Sequence, residues 1–136
     1  MKKVIIALTV LTALVSCKKD PNAEANEILE GTWTVTSLII AGNEEFGETK
    51  RVTRASFEFK STGETRGTYV EKNFSFGTEY TDKGEYFISE EGLKITLEND
   101  NNSIKALDAT LDLTESSLKM TYKNENGKNE IVTATK

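Results

Sequence analysis

Cys17 is the one thiol in a 136-residue chain that has no histidine. Without imidazole there is no Ser–His or Cys–His pair to activate a nucleophile, and no ordinary zinc or copper ligand set. The usual general base near neutral pH is missing as well. Any catalysis would rest on carboxylates, tyrosines, lysines or serines. Asp108 and Asp112 fall on one face of an alternating stretch, two pleats and about 13 Å apart. That is too far for a glycosidase pair supplied by these two alone, and solvated outer-face charge accounts for them. Glu98-Asn99-Asp100-Asn101-Asn102 offers oxygen ligands for calcium. It lacks the glycine and terminal glutamate of a calcium loop, and a polar hairpin turn accounts for it. The chain is therefore expected not to be an enzyme, and to carry neither cofactor nor metal.

The chemistry of Cys17 is read from what precedes it. Lys2 and Lys3 form a basic start, residues 4–15 an apolar run broken by Thr9 and Thr12, and Ser16 a small residue before the thiol. This is the layout of a secretory signal, and the run is shorter than the roughly 20 residues a membrane span requires. Leu14-Val15-Ser16-Cys17 resembles a bacterial lipobox. The resemblance implies that the Cys17 sulfur is acylated with chains such as palmitate, that residues 1–16 are removed, and that the new amino terminus is acylated too. Several acyl chains hold a protein stably at a membrane, each buried CH₂ contributing about 0.8 kcal/mol. Lys18 is not the aspartate that retains such lipoproteins at the inner membrane, so the outer membrane is the expected location, on its periplasmic face or at the cell surface.

The remaining chain, residues 17–136, carries 15 basic and 22 acidic side chains and suits one domain. Such an acidic surface lacks the clustered Lys and Arg that nucleic acid demands, so no nucleic-acid partner is expected. With Cys17 acylated, no intramolecular disulfide can form. Residues 17–30 read as a tether: Lys18, Lys19 and Asp20 beside the headgroups, then Pro21, with Asn22 able to cap a short helix over 23–29.

From about residue 31 the pattern changes to period-two alternation, with frequent turn residues. Strands are predicted over 32–40, 52–60, 66–74, 79–89, 93–98, 104–113, 118–122 and 129–135. In the first of these Trp33, Val35 and Ile39 share a face. In the second Ala55, Phe57 and Phe59 oppose Arg54, Glu58 and Lys60. Residues 41–50 read as a loop, and Asn126-Gly127 as a tight hairpin. Eight strands joined by short turns favour an up-and-down antiparallel meander over 31–136. Closing it into a barrel would remove its edges, although a two-sheet sandwich would carry much the same pattern. Trp33, Phe57, Phe59, Tyr86 and Tyr122 are candidate pocket-lining residues, although aromatics facing into a small barrel are more often simply its core. Phe46, Phe74 and Phe76 sit in or beside loops and could rim a pocket mouth.

Several stretches resemble the bacterial lipocalin-like lipoproteins over about residues 29–136. Gly31-Thr32-Trp33 is similar to their opening G-x-W strand, and Phe57-Glu58-Phe59-Lys60-Ser61-Thr62-Gly63 to their second strand and turn. Gly84-Glu85-Tyr86 with Gly92-Leu93-Lys94-Ile95-Thr96-Leu97 is similar to their middle strands, and Leu113-Thr114-Glu115-Ser116-Ser117-Leu118-Lys119-Met120 to a later hairpin. The resemblance implies an eight-stranded lipocalin-like β-barrel. The acidic-Tyr loop motif of true lipocalins is absent. So is a late arginine to pack on the opening tryptophan; only Lys128 and Lys136 lie near the end. The expected function is that of a membrane-anchored monomer binding a small apolar molecule or peptide in or at the barrel mouth. The alternative is a non-catalytic accessory lipoprotein of the cell envelope with a filled barrel, whose loops engage an envelope protein.

Overall fold

The computed structural model describes residues 18–101 and 106–136. The signal segment 1–16, Cys17, Asn102 and the predicted start of the sixth strand at Ile104 lie outside the described residues. One helix, α1 (Pro21–Leu29), precedes nine strands: β1 (Gly31–Ile40), β2 (Asn43–Glu44), β3 (Val52–Ser61), β4 (Arg66–Ser75) and β5 (Thr78–Ser89), followed by β6 (Lys94–Asn99), β7 (Leu107–Leu113), β8 (Ser117–Lys123) and β9 (Asn129–Thr135). Every named strand pairing is antiparallel and joins neighbours in the chain, apart from the β1–β3 pairing that passes over the flap β2 and the β1–β9 pairing that closes the sheet. The result is an eight-stranded barrel with β2 as a small flap on β1. Closure, which the sequence pattern left open against a sandwich, is made by Thr34 to Ile40 lying against Thr135 to Glu130.

Three details differ from the sequence reading. Asp20, not Asn22, caps α1: its carboxylate accepts from the Asn22 N–H at 2.8 Å, and Pro21 takes the first helical position, where an N–H is not needed. The Asn22 side chain accepts instead from the Gly92 N–H at 2.8 Å, fastening the helix to the β5–β6 turn. The second difference is a bulge in β1. The register slips between Val35 and Ser37, so Leu38 opposes Val132 and packs on the core, while Ile39 opposes Ile131. One extra residue in a strand exchanges its faces, and strict alternation could not foresee it. Third, the 41–50 loop contains β2. Ala41 and Gly42, both at positive φ, reverse the chain, and Glu44 fixes the flap by accepting from Ser37 Oγ at 2.6 Å, Leu38 N and Phe46 N.

α1 seals one end of the barrel. Leu29, Trp33, Phe59, Tyr86, Ile95, Leu111, Leu118 and Met120 form the fully buried apolar mass beneath it. The Trp33 indole N–H donates to the Leu29 carbonyl at 2.7 Å. Asn26 is the one buried polar side chain in the described core. It accepts from the Tyr86 hydroxyl at 2.6 Å and donates through Nδ2 to Gly63 O at 2.8 Å, with Ser61 Oγ at 3.0 Å. Helix, β3–β4 turn and β5 are thus joined through one amide, and no buried side-chain polar atom among the described residues is left without a partner. Gly67 permits this packing: a methyl group there would lie 2.6 Å from the Tyr86 hydroxyl and 2.1 Å from Lys60 O. Lys136, one of the two late lysines, packs on Trp33. Its ammonium sits 4.9 Å from the Trp33 ring centroid and donates to Ile28 O at 2.6 Å.

Candidate functional site at the open end of the barrel

The inward faces of four strands change from apolar to polar along the barrel. On β4 the sequence of inward residues is Gly67, Tyr69, Glu71 and Asn73; on β5, running the other way, it is Ile88, Tyr86, Gly84 and Asp82. β8 passes from Leu118 and Met120 to Tyr122, and β9 from Ala134 and Val132 to Glu130. Pairing brings these polar ends together. Glu71 lies directly opposite Asp82, and Tyr122 directly opposite Glu130.

A cavity of about 980 Å³ occupies this end. It opens where β7 parts from β8. Their pairing spans only Thr110 to Leu113 against Thr121 to Leu118, although β7 begins at Leu107 and β8 continues to Lys123. Leu97, Leu107 and Ala109 give the cavity an apolar wall, and Tyr69, Glu71, Asp82 and Tyr122 a polar one. A smaller chamber of about 150 Å³ lies deeper toward β1, between Phe57, Leu38 and Val132, and shares Glu71 and Tyr122 with the first. A further opening of about 470 Å³, lined by Val35, Phe46, Ala55 and Phe74, lies where β1 and β3 stop pairing after Thr34. Phe46 packs on the core there, whereas Phe76 projects from the β4–β5 turn with 80% of its surface exposed.

The electrostatics of the mouth are those of crowded acid. Burial, with the Asp82 carboxylate opposite and Glu130 farther away, raises the Glu71 pKa to about 7 against an Asn73 hydrogen bond that lowers it. Burial also raises Tyr69 to about 12, with Glu71 and Asp82 adding to the effect. Tyr122 is pushed up chiefly by burial and then by Glu130, to whose carboxylate its hydroxyl donates at 2.9 Å. The other Glu130 oxygen accepts from Asn124 Nδ2 at 2.7 Å. Glu130 is therefore held in place, while the Glu71–Asp82 pair has no ion-pair partner among the described residues.

The five aromatic candidates separate. Trp33, Phe59 and Tyr86 take the core alternative: they pack under α1 and line none of these cavities, so they are not pocket-lining here. Phe57 is buried but forms a wall of the smaller chamber, and Tyr122 reaches both chambers. Phe57 and Phe59 stack with centroids 5.8 Å apart, and Phe59 meets Tyr86 edge-on at 5.4 Å. Glu71, Asp82, Glu130 and Tyr69 are the residues sequence reading passed over. Residues 66–74 alternate only weakly between apolar and polar, and that is the signal, because the inner face of β4 turns acidic at Glu71. Asn99, read as part of a turn, ends β6 and lines the larger cavity. Asp108 and Asp112 are exposed, and Thr96 Oγ1 donates to Asp108 at 2.7 Å.

No family model matches the chain, and no curated protein matches it. Solved structures do. A redesigned β-barrel, b11L5F_LGL, superposes with a TM-score of 0.62 at 15% identity, over 82% of this chain and 94% of that one. A de novo designed fluorescence-activating β-barrel gives 0.60 at 15% identity, over 82% and 96%. The redesigned barrel mFAP1, bound to DFHBI, gives 0.60 at 15% identity, over 82% and 98%. At this identity the likeness is one of fold: the chain is a closed, lipocalin-like antiparallel β-barrel, an architecture shared with barrels that bind ligands.

Proposed function

We propose that this protein is a membrane-tethered binding barrel that holds a small molecule with an apolar body in its open end. One observation carries the reading: a barrel sealed by α1 at one end and hollow at the other, with about 980 Å³ reaching solvent between β7 and β8. That volume is in the range of small-molecule pockets, and Leu97, Leu107 and Ala109 supply the apolar contact such pockets use. The similar mFAP1 barrel, bound to DFHBI, supports the same use of the architecture. A filled barrel acting only through its loops would have no such space.

The tether reading gives the barrel an orientation. Cys17, the lipid-bearing residue in this proposal, precedes Pro21 by three intervening residues, and α1 lies on the sealed end. Three residues reach about 10 Å at most. The sealed end then faces the membrane and the mouth faces the aqueous compartment, so ligand arrives from solution rather than from the bilayer. The expected location is the outer membrane.

Native mass spectrometry of the barrel purified from its own host without denaturation tests the binding. A reproducible extra mass lost on unfolding is the expected result; a bare mass with no uptake of a hydrophobic fluorescent probe would overturn it. The anchor is tested separately by Cys17→Ala, which should leave the protein unlipidated and absent from the outer-membrane fraction.

A further inference from the structure

We propose that the ligand of the open-end cavity carries a cationic group, a protonated amine on an apolar body, which docks against Glu71 and Asp82. The inference rests on the binding reading above and adds the charge class of the ligand. Glu71 and Asp82 sit opposite each other on adjacent strands and both line the cavity. Two carboxylates facing one cavity repel each other and lose part of their hydration, and a cation between them relieves both costs. Among the described residues the protein supplies none at that point. The basic groups on the cavity walls are Lys94 and Lys123, on exposed outer positions of β6 and β8, and Arg51, exposed beside the smaller chamber. Lys94 is already paired with Glu90 at 2.7 Å. Glu130, the third inward carboxylate, is engaged by Tyr122 and Asn124, which leaves the Glu71–Asp82 pair as the docking point.

An organic cation fits better than a metal ion. No group of three His, Cys, Asp or Glu among the described residues is gathered closely enough to hold a metal. The lining is mixed, with Leu97, Leu107 and Ala109 sharing the cavity with the acids. An amine would donate to the carboxylates while its apolar body lay on that wall. The raised affinity of Glu71 for a proton adds a consequence: acidification neutralises Glu71 and weakens the hold on the amine, which remains charged.

Three probes with one aromatic body test the proposal on the full barrel: 1-naphthylmethylamine, 1-naphthalenemethanol and 1-naphthoic acid, followed by their own fluorescence. The amine is expected to bind at least about tenfold more tightly than the alcohol at about pH 8, and the acid least. That preference should shrink by about pH 5, and should vanish in the variant carrying Glu71→Gln and Asp82→Asn, whose fold is checked by circular dichroism. Equal binding of amine and alcohol would overturn the charge inference while leaving the binding reading intact. An amine preference that persists in the double variant would trace to the general acidic surface and overturn the assignment to these two residues. Failure of all three probes to bind would count against the cavity itself, and the charge inference would fall with it.

Discussion

At the α1 end of the barrel, Trp33, Phe59 and Tyr86 are wholly buried and every buried side-chain polar atom among the described residues is answered, down to the single amide of Asn26. At the other end the same strands finish in Glu71, Asp82 and Glu130 around a cavity. One end is filled, sealed and neutral; the other is hollow, open and acidic. The contrast separates the residues that hold the barrel together from those available to a ligand. Stability should be concentrated in the first set. The second set should tolerate change and, where charge is crowded, gain from it.

The sharpest way to break that division is to delete its two extremes. Trp33→Ala removes a buried indole and its bond to Leu29 O, and should cost about 3–5 kcal/mol in chemical denaturation. Leu107→Ala, at the partly buried cavity wall, should cost under about 1.5 kcal/mol. Comparable losses at the two sites would mean that the ends are not energetically distinct. Next in size, Asn26→Ala strands the buried Tyr86 hydroxyl and removes the amide's bond to Gly63 O, which keeps only Ser61 Oγ; it should cost about 2–4 kcal/mol, read as a lowered denaturation midpoint.

The acidic end gives an effect of opposite sign. Glu71 binds its proton more tightly in the folded barrel, with a pKa of about 7 against 4.5, so its contribution to stability is greatest below the lower value. It is lost as pH rises through the higher one, because the unfolded chain then holds fewer protons than the folded one. Glu71→Gln should therefore stabilise the protein by about 1–3 kcal/mol near pH 8 and by much less near pH 4. Denaturation of both proteins across that range measures the difference, and a variant less stable at pH 8 would contradict it. The smallest expected effect belongs to the sealed end's rim. Lys136→Met loses the cation over Trp33 and the bond to Ile28 O, and should cost about 0.5–1.5 kcal/mol in the same assay.

Much of this architecture was legible in the chain. Strands such as β6 and β7, with Ile95 and Leu97, and then Ala109 and Leu111, on the buried face, announce themselves because one face meets the core and the other water. A short helix was legible over 23–29, but it starts earlier, at Pro21, with its cap at Asp20 while Asn22 is drawn to the Gly92 amide. The open end was harder to read for the same reason that it is interesting. An inward face that passes from Tyr69 to Glu71 and Asn73 has no apolar period to detect, and a carboxylate pointing into a barrel looks in sequence like one pointing into solvent.

By itself the sequence determined the local grammar: where strands run, where they turn, which residue types alternate, and that no histidine is present to do chemistry. These follow from backbone geometry and from the period-two separation of wet and dry faces, which neighbouring residues specify. Only the tertiary structure decided that β9 returns to β1, that the bulge at Thr36 turns Leu38 inward, and that three of the five aromatics seal one end while Glu71 and Asp82 meet at the other. Those outcomes depend on pairings between residues far apart in the chain, and on how much space is left once the paired strands have curved into a barrel.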